Sequence, residues 1–320
     1  MFEHIPIQIR WAIGAIFAIL AVATAIVLFV DRKRERADGP SELSLRVRTW
    51  WIMVIVFSLA LVVNRAVSIV FFAFLSFLAL KEYLSLIPTR RADRRVLFWA
   101  YLAIPIQYFW VYDEWYGLFI IFIPVYVFLF LPMRMVLIGE TRDFLRAIGT
   151  IFWGLMMMVF SISHMAYLLV LPTRIPTPGG GAGLVLYLVF LTEFNDCAQY
   201  VWGKSLGRSK VLPTVSPKKT YAGWIGGILT TTVLAVMIAP YLTPMCAGEH
   251  PWRDPLLAGL IIAMAGFIGD VTISALKRDL GVKDSGTLLP GHGGILDRID
   301  SLTYTAPLFF HFIRYLYGMR

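Results

Sequence analysis

Charged and hydroxyl side chains gather in two stretches of an otherwise apolar chain. The first, Leu191-Thr-Glu-Phe-Asn-Asp-Cys-Ala-Gln-Tyr-Val-Trp-Gly203, carries Glu193, Asn195, Asp196 and Gln199 inside an apolar helical segment. A carboxylate at the centre of a bilayer costs about 2.5–3.5 kcal/mol on insertion scales, so these groups must face a polar cavity or a partner. Asp196 and Tyr200 share a helix face at i, i+4, with Gln199 and Glu193 beside it. A buried contact that only joins helices is the plainer alternative for Glu193 and Asp196. Downstream, Ser216-Pro-Lys-Lys-Thr220 offers the ammonium groups of Lys218 and Lys219 and the hydroxyls of Ser216 and Thr220 beside a helix N-terminus. That set suits phosphate oxygens, although on charge alone it reads equally well as an ordinary basic loop. Gly203-Lys204-Ser205 imitates the end of a P-loop, but Ala198 stands where a glycine is required and no strand precedes it.

The second stretch starts inside the apolar segment 255–275. Asp270, Ser274 and Lys277 recur at i, i+4, i+7 and line one helix face. The loop that follows holds Arg278, Asp279, Lys283, Asp284, Ser285, His292, Asp297, Arg298 and Asp300, with glycines at 291, 293 and 294. Clustered Asp with Lys and Arg suits Mg²⁺ plus a polyphosphate: the metal takes oxygen ligands, and the cations neutralise the remaining charge. Asp297 and Asp300, at i, i+3, can converge on one site, and the glycines let backbone approach a ligand closely. A structural role for the whole loop would not require both signs at this density beside a membrane; Asp279 alone reads either way.

These stretches must be held by membrane helices. The chain has 320 residues, 58% hydrophobic and 15% charged, with mean hydropathy +0.72, which excludes an ordinary soluble domain. Aromatic residues make up 15%, as interfacial belts require. Spans of ~20 apolar residues are expected at 9–30, 50–66, 68–87, 96–112, 117–133, 147–171, 183–202, 222–241, 255–275 and 302–317. Asn64 and Arg65 divide a nearly continuous apolar run, and the basic loops on either side of 50–87 require an even number of crossings. Loops 31–49, 81–95, 134–146, 203–219 and 276–300 contain twenty-three of the 29 Lys and Arg residues. They are therefore expected on the cytoplasmic side, with both termini outside. The net charge of +9 is accounted for by these loops meeting anionic headgroups, so no nucleic-acid partner is expected. Cys197 and Cys246 are too isolated for a zinc site or an expected disulfide. The first apolar segment has its positive charges after it, as a retained anchor does. The expected fold is an all-α polytopic transmembrane bundle of about ten spans. It divides into N-terminal helices over 1–182 and a catalytic region over 183–320 with cytoplasmic loops 203–220 and 276–301.

Ser274-Ala-Leu-Lys-Arg278, Val282-Lys-Asp-Ser-Gly286 and Leu289-Pro-Gly-His-Gly-Gly-Ile-Leu-Asp-Arg-Ile-Asp300 closely resemble the signature of phosphatidate cytidylyltransferases. Asn195-Asp196, Tyr200, Gly203, Ser216 to Thr220 and Gly223, Gly226 and Gly227 also match. The resemblance covers about 190–305; residues 1–180 resemble the family only as a run of apolar spans. Ala222 and Ile273 stand where many members carry Glu or Gln and Glu respectively, and Gln199 stands where Ala is usual. The pattern looks like a divergent bacterial paralogue branch.

The resemblance implies transfer of the cytidylyl group of CTP to phosphatidate, giving CDP-diacylglycerol and pyrophosphate. Another lipid phosphate as acceptor, or a silent regulatory paralogue, is the alternative. It implies Mg²⁺ held by Asp270, Asp297 and Asp300, with a second cation such as K⁺. It implies catalytic roles for Asp270, Lys277, His292 and Asp297. Substrate contacts are implied from Asp196, Ser216, Lys218, Lys219, Thr220, Ser274, Arg278, Lys283, Asp284, Ser285, Gly293, Gly294 and Arg298. The expected location is the bacterial inner membrane with the site on the cytoplasmic side, among membrane lipids. A homodimer is expected from related membrane enzymes, without an interface motif in this chain.

Overall fold

The computed structural model describes residues 6–32, 42–88, 94–139 and 141–319. Its helices are α1 (Ile7–Arg32), α2 (Glu42–Val63), α3 (Arg65–Leu86), α4 (Arg94–Tyr112), α5 (Tyr116–Ile121), α6 (Phe128–Val136), α7 (Phe144–Gly154), α8 (Ser161–Leu168), α9 (Gly180–Leu206), α10 (Tyr221–Leu242), α11 (Arg253–Asp279), α12 (Leu296–Ile299) and α13 (Leu302–Tyr317). A π-helical stretch, Phe122–Val127, joins α5 to α6, and another, Leu155–Phe160, joins α7 to α8, so each pair forms one rod. Among the described residues, eight helical rods are long and apolar enough to cross a membrane. This is a polytopic helical membrane protein. Side chains such as Trp11, Ile19, Val22 and Val70 lie exposed on its surface, where lipid tails replace water.

All ten expected segments are helical, but 96–112 and 302–317, as α4 and α13, are not among the eight. With 16 residues, α13 reaches only about 24 Å, short of a ~30 Å hydrocarbon core. It packs against α8 and α11, burying Phe309, Phe310 and Ile313 completely. The apolar run 50–87 is indeed two helices. Asn64 leaves the helical region at φ −170°, ψ 167°, and its Oδ1 accepts from Val67 N at 2.8 Å, capping α3.

Pro124 explains the π turn between α5 and α6. It has no N–H to donate within the helix, and Gln107 Nε2 on α4 donates to the Phe119 carbonyl at 3.1 Å. The chain is not wholly helical. Lys210–Leu212 (β1) and Ser216–Thr220 (β2) pair antiparallel, where the sequence reading expected only a loop. Thr220 ends β2 and caps α10, its Oγ1 accepting from Gly223 N at 3.1 Å.

Glycines set the contact between α9 and α10. A Cβ at Gly223 would lie 2.6 Å from Gln199 O, one at Gly227 would lie 2.5 Å from Gln199 Cγ, and Gly226 faces the Trp202 ring. Small residues permit the backbone approach on which helix association in lipid depends. The same holds between α11 and α10, where a Cβ at Gly259 would meet Ala235 Cβ at 2.7 Å and Thr232 Cα at 2.8 Å. Gly259→Val is expected to destabilise the bundle by about 1–3 kcal/mol. The expected readout is a lower thermal unfolding temperature in detergent, with no change for Gly14→Val, whose added atoms meet nothing within 4 Å.

Candidate active site

The close packing of α9 on α10 brings the end of β2 against α9 and α11. Lys219, at the end of β2, projects between those two helices. Its Nζ lies 2.5 Å from Asp270 Oδ2 and 3.9 Å from Asp196 Oδ1, and it donates to Gln199 Oε1 at 2.9 Å. Burial works against the charge on Lys219, but Asp270 and Asp196 outweigh it and hold the ammonium above the usual lysine range. Ser301 Oγ donates to Asp196 Oδ2 at 3.0 Å, and Ser274 Oγ donates to Asp270 Oδ1 at 3.2 Å. Asp300 completes the acidic group. Burial, and then the charges of Asp270 and Asp196, push it well above the usual carboxylate range. The departure at Gln199 thus has a local reason, since its amide oxygen is a partner of Lys219. Ile273 is fully buried, which makes that departure a matter of packing.

The loop after α11 is organised by two carboxylates. Asp297 Oδ1 accepts from Lys277 Nζ at 2.6 Å, and its Oδ2 accepts from Ser285 N and Oγ, both at 2.9 Å, and from Gly294 N at 3.0 Å. Burial opposes the charge on Asp297, but Lys277 and these donors prevail and hold its carboxyl below the usual range. The second carboxylate is Glu82, near the end of α3. Its Oε1 accepts from Leu296 N at 3.0 Å and lies 2.5 Å from Ser285 Oγ, whose single proton it shares with Asp297 Oδ2, and its Oε2 accepts from Ile295 N at 2.9 Å. A side chain at Gly294 would collide with the Glu82 carboxylate, and one at Gly286 would come within 3.1 Å of it. Gly294 therefore makes room for Glu82. Gly291 and Gly293, at φ 75° and 84°, form a tight turn closed by Leu289 N donating to Gly293 O at 2.9 Å. The helix α2 holds this turn from its other side. Thr49 Oγ1 donates to Pro290 O at 2.8 Å, and the ring of Trp50 meets His292 edge-on.

These elements enclose a cavity of about 1000 Å³. Its acid wall is Glu193, Asp196, Asp270 and Asp300, and its cationic wall includes Arg46, Lys277, Lys283 and Arg298. Asp284, His292, Gly293 and Asp297 also line it. Burial, and then Arg298 and Arg46, lower the affinity of His292 for a proton, so it faces the cavity as a neutral imidazole. A second cavity of about 370 Å³ is lined by Ser216, Lys218, Lys219 and Thr220. Asp196, Tyr200 and Asp270 line both, so Lys219 and its carboxylates stand where the two meet. Ser285 and Gly294 are turned to Asp297 and Glu82. Arg278, in the last turn of α11, is exposed and donates to Val215 O at 3.3 Å, tying the end of that helix to the β hairpin.

The expected metal trio of Asp270, Asp297 and Asp300 is not brought to one point. Asp297 turns back on the donors of its own loop and Lys277, whereas Asp300 faces Asp270 and Asp196. Among the described residues no three His, Cys, Asp or Glu side chains are disposed to hold an ion as they stand. Asp196, Asp270 and Asp300 nevertheless suit Mg²⁺ in kind. They are hard oxygen donors sharing the single Lys219 ammonium, and Asp196 Oδ1 is buried without a hydrogen-bond partner.

The site also departs from the expected division at residue 182, because Glu82, Thr49 and Trp50 all come from before it. Sequence reading passed over Glu82 as one charge in a basic loop. Its signal, a carboxylate closing an apolar helix, is too common to stand out.

The fold and its charged cavity define the class as a polytopic membrane protein with an enclosed polar site. The family model described as cytidylyltransferase family matches residues 44–316, and the chain belongs to that family. It is 50% identical over 305 residues to the uncharacterized protein YnbB of Escherichia coli, covering 95% of this chain and 98% of that one. It is also similar to two proteins named phosphatidate cytidylyltransferase. The one from Haemophilus influenzae is 39% identical over 135 residues, 42% of this chain and 47% of that enzyme. The one from Synechocystis is 45% identical over 120 residues, 37% of this chain and 39% of that enzyme. Each of these two matches spans less than half of the enzyme's own length.

Glu82→Ala is expected to lower kcat for nucleotidyl transfer by at least about tenfold, because the Ile295 and Leu296 amides lose their acceptor and the loop its register. Glu82→Gln, which keeps one acceptor oxygen, should lose less. Steady-state kinetics on the two purified variants makes the comparison.

Proposed function

We propose that this protein transfers the cytidylyl group of CTP to a lipid phosphate, with phosphatidate the acceptor indicated by its named relatives. Pyrophosphate is released and a CDP-lipid is left in the bilayer. The observation that carries this reading is the buried Lys219 ammonium held by Asp196 and Asp270 where two cavities meet, in a chain of the cytidylyltransferase family. Two phosphate-bearing substrates need such a meeting point, and a transfer between them needs cations there.

An oxygen of the lipid phosphate attacks the α-phosphorus of CTP, and the bond from that phosphorus to the β-phosphate bridging oxygen breaks. The lipid phosphate is already largely dianionic at neutral pH, so the reaction asks for positioning and charge neutralisation more than for a base. Lys219 faces the second cavity together with Lys218, Ser216 and Thr220, which suits it to hold phosphate oxygens there. Lys277, Lys283 and Arg298 neutralise charge in the large cavity, and His292 offers it a neutral imidazole. Asp297 holds Lys277 in place and, with Glu82, keeps the loop of Ser285 and Gly294 closed. Mg²⁺ held by Asp196, Asp270 and Asp300 would neutralise the triphosphate charge as pyrophosphate leaves. The basic loops support a cytoplasmic position for this end of the bundle in a bacterial inner membrane, where CTP is found, with the lipid reaching the cavity from the bilayer.

The test is pyrophosphate release and labelled CDP-lipid formation by detergent-purified protein given CTP, phosphatidate and Mg²⁺. Turnover that stops on chelation is expected. Lys219→Ala should lower kcat/KM by about 100-fold or more, the scale of removing one charge-stabilising group from a transition state. Wild-type protein that binds CTP yet releases no pyrophosphate with any lipid phosphate would contradict the proposal.

A further inference from the structure

Glu193 lines the same large cavity as Asp196 and Arg298, yet the scheme above gives it nothing to do. It stands midway along α9. Three residues before Asp196, it sits about 4.5 Å deeper in the bundle along the helix axis. No hydrogen bond or ion pair reaches its carboxylate among the described residues. An unpartnered carboxylate inside a membrane helix is a costly feature that marks function. Arg298 lies on the same cavity, close enough for its charge to act on Glu193, but the two are not within ion-pair distance. Its Nε is buried without a hydrogen-bond partner. The cavity is thus lined by a carboxylate without a partner and by a guanidinium that carries charge into the same space.

We propose that Glu193 and Arg298 form a hydroxyl-binding subsite that selects a lipid phosphate carrying a free hydroxyl beside its phosphate. This rests on the proposed transfer to a lipid phosphate, takes the large cavity as the acceptor site, and ranks a monoacyl acceptor ahead of phosphatidate. The chemistry of the two groups chooses the ligand. A hydroxyl donates to the Glu193 carboxylate and accepts from the Arg298 guanidinium, serving both at once. An ester carbonyl of a fully acylated lipid only accepts, and leaves the carboxylate unpartnered. An amine donates to Glu193 and repels Arg298. A site built to bond a hydroxyl discriminates strongly against an analogue without one, because its own polar groups are then left unpaired.

The experiment measures kcat/KM of the full-length protein in detergent with CTP and Mg²⁺ on two acceptors of matched chain length, a monoacylglycerol phosphate and a diacylglycerol phosphate. Wild type should favour the monoacyl acceptor by about tenfold or more. Glu193→Leu should erase that preference through loss on the monoacyl acceptor, with the diacyl rate held within about threefold. Glu193→Gln keeps an acceptor oxygen and should retain part of the preference; it carries the test should the leucine variant fail to fold. A wild-type ratio near one, or a parallel fall on both acceptors in both variants, would overturn the subsite. An altered cation requirement at an unchanged ratio would overturn it too, by making Glu193 a cation ligand. No product from either acceptor with wild type would remove the acceptor-site reading, and the subsite with it.

Discussion

The structure depends on one constraint: charge placed inside an apolar bundle must be neutralised there. Lys219 between Asp270 and Asp196 is where that constraint is tightest. The ammonium enters from a strand, the carboxylates from two different helices, and no single element can supply the set. The glycine contacts of α9 with α10 exist to bring these elements within a few ångströms. The neutralisation is also incomplete. Asp300 adds a third carboxyl group beside the single ammonium, and its affinity for a proton is raised by the charges of Asp270 and Asp196.

A second set of charges fixes the loop that closes the cavity. Lys277 and Asp297 pair across 20 residues, whereas Glu82 reaches the same loop across more than 200. The N-terminal helices, which carry no recognisable chemistry of their own, therefore clamp the loop that closes the cavity as well as spanning the membrane. The residues of that loop divide accordingly. Ser285 and Gly294 serve its internal bonds, and Lys277, His292 and Arg298 face the cavity.

The helices were legible because membrane helices are written in long apolar runs, and even the break at Asn64 could be read from an amide followed by a basic residue. The two polar stretches were legible because a charge inside such a run has few innocent explanations. Three features were not. The β hairpin over 210–220 is short, interrupted by Pro213 and Pro217, and defined by pairing that local pattern does not reveal. Asp297 and Asp300, neighbours at i, i+3, turn to different partners because tertiary donors outbid their spacing. Glu82 is joined to its loop by contacts far apart in the chain, which one sequence alone does not encode visibly. The length of α13 lies between these cases: its helicity was plain, but 16 residues packed among other helices do not form an ordinary span.

If Lys219 neutralises the carboxylates only until a nucleotide phosphate takes their place beside it, a structure determined with a non-hydrolysable CTP analogue and Mg²⁺ will show the exchange. Lys219 Nζ should leave Asp270 for a phosphate oxygen, with the metal bound by Asp270 and its acidic neighbours. A nucleotide bound elsewhere, with the Lys219–Asp270 pair still closed at 2.5 Å, would contradict the account.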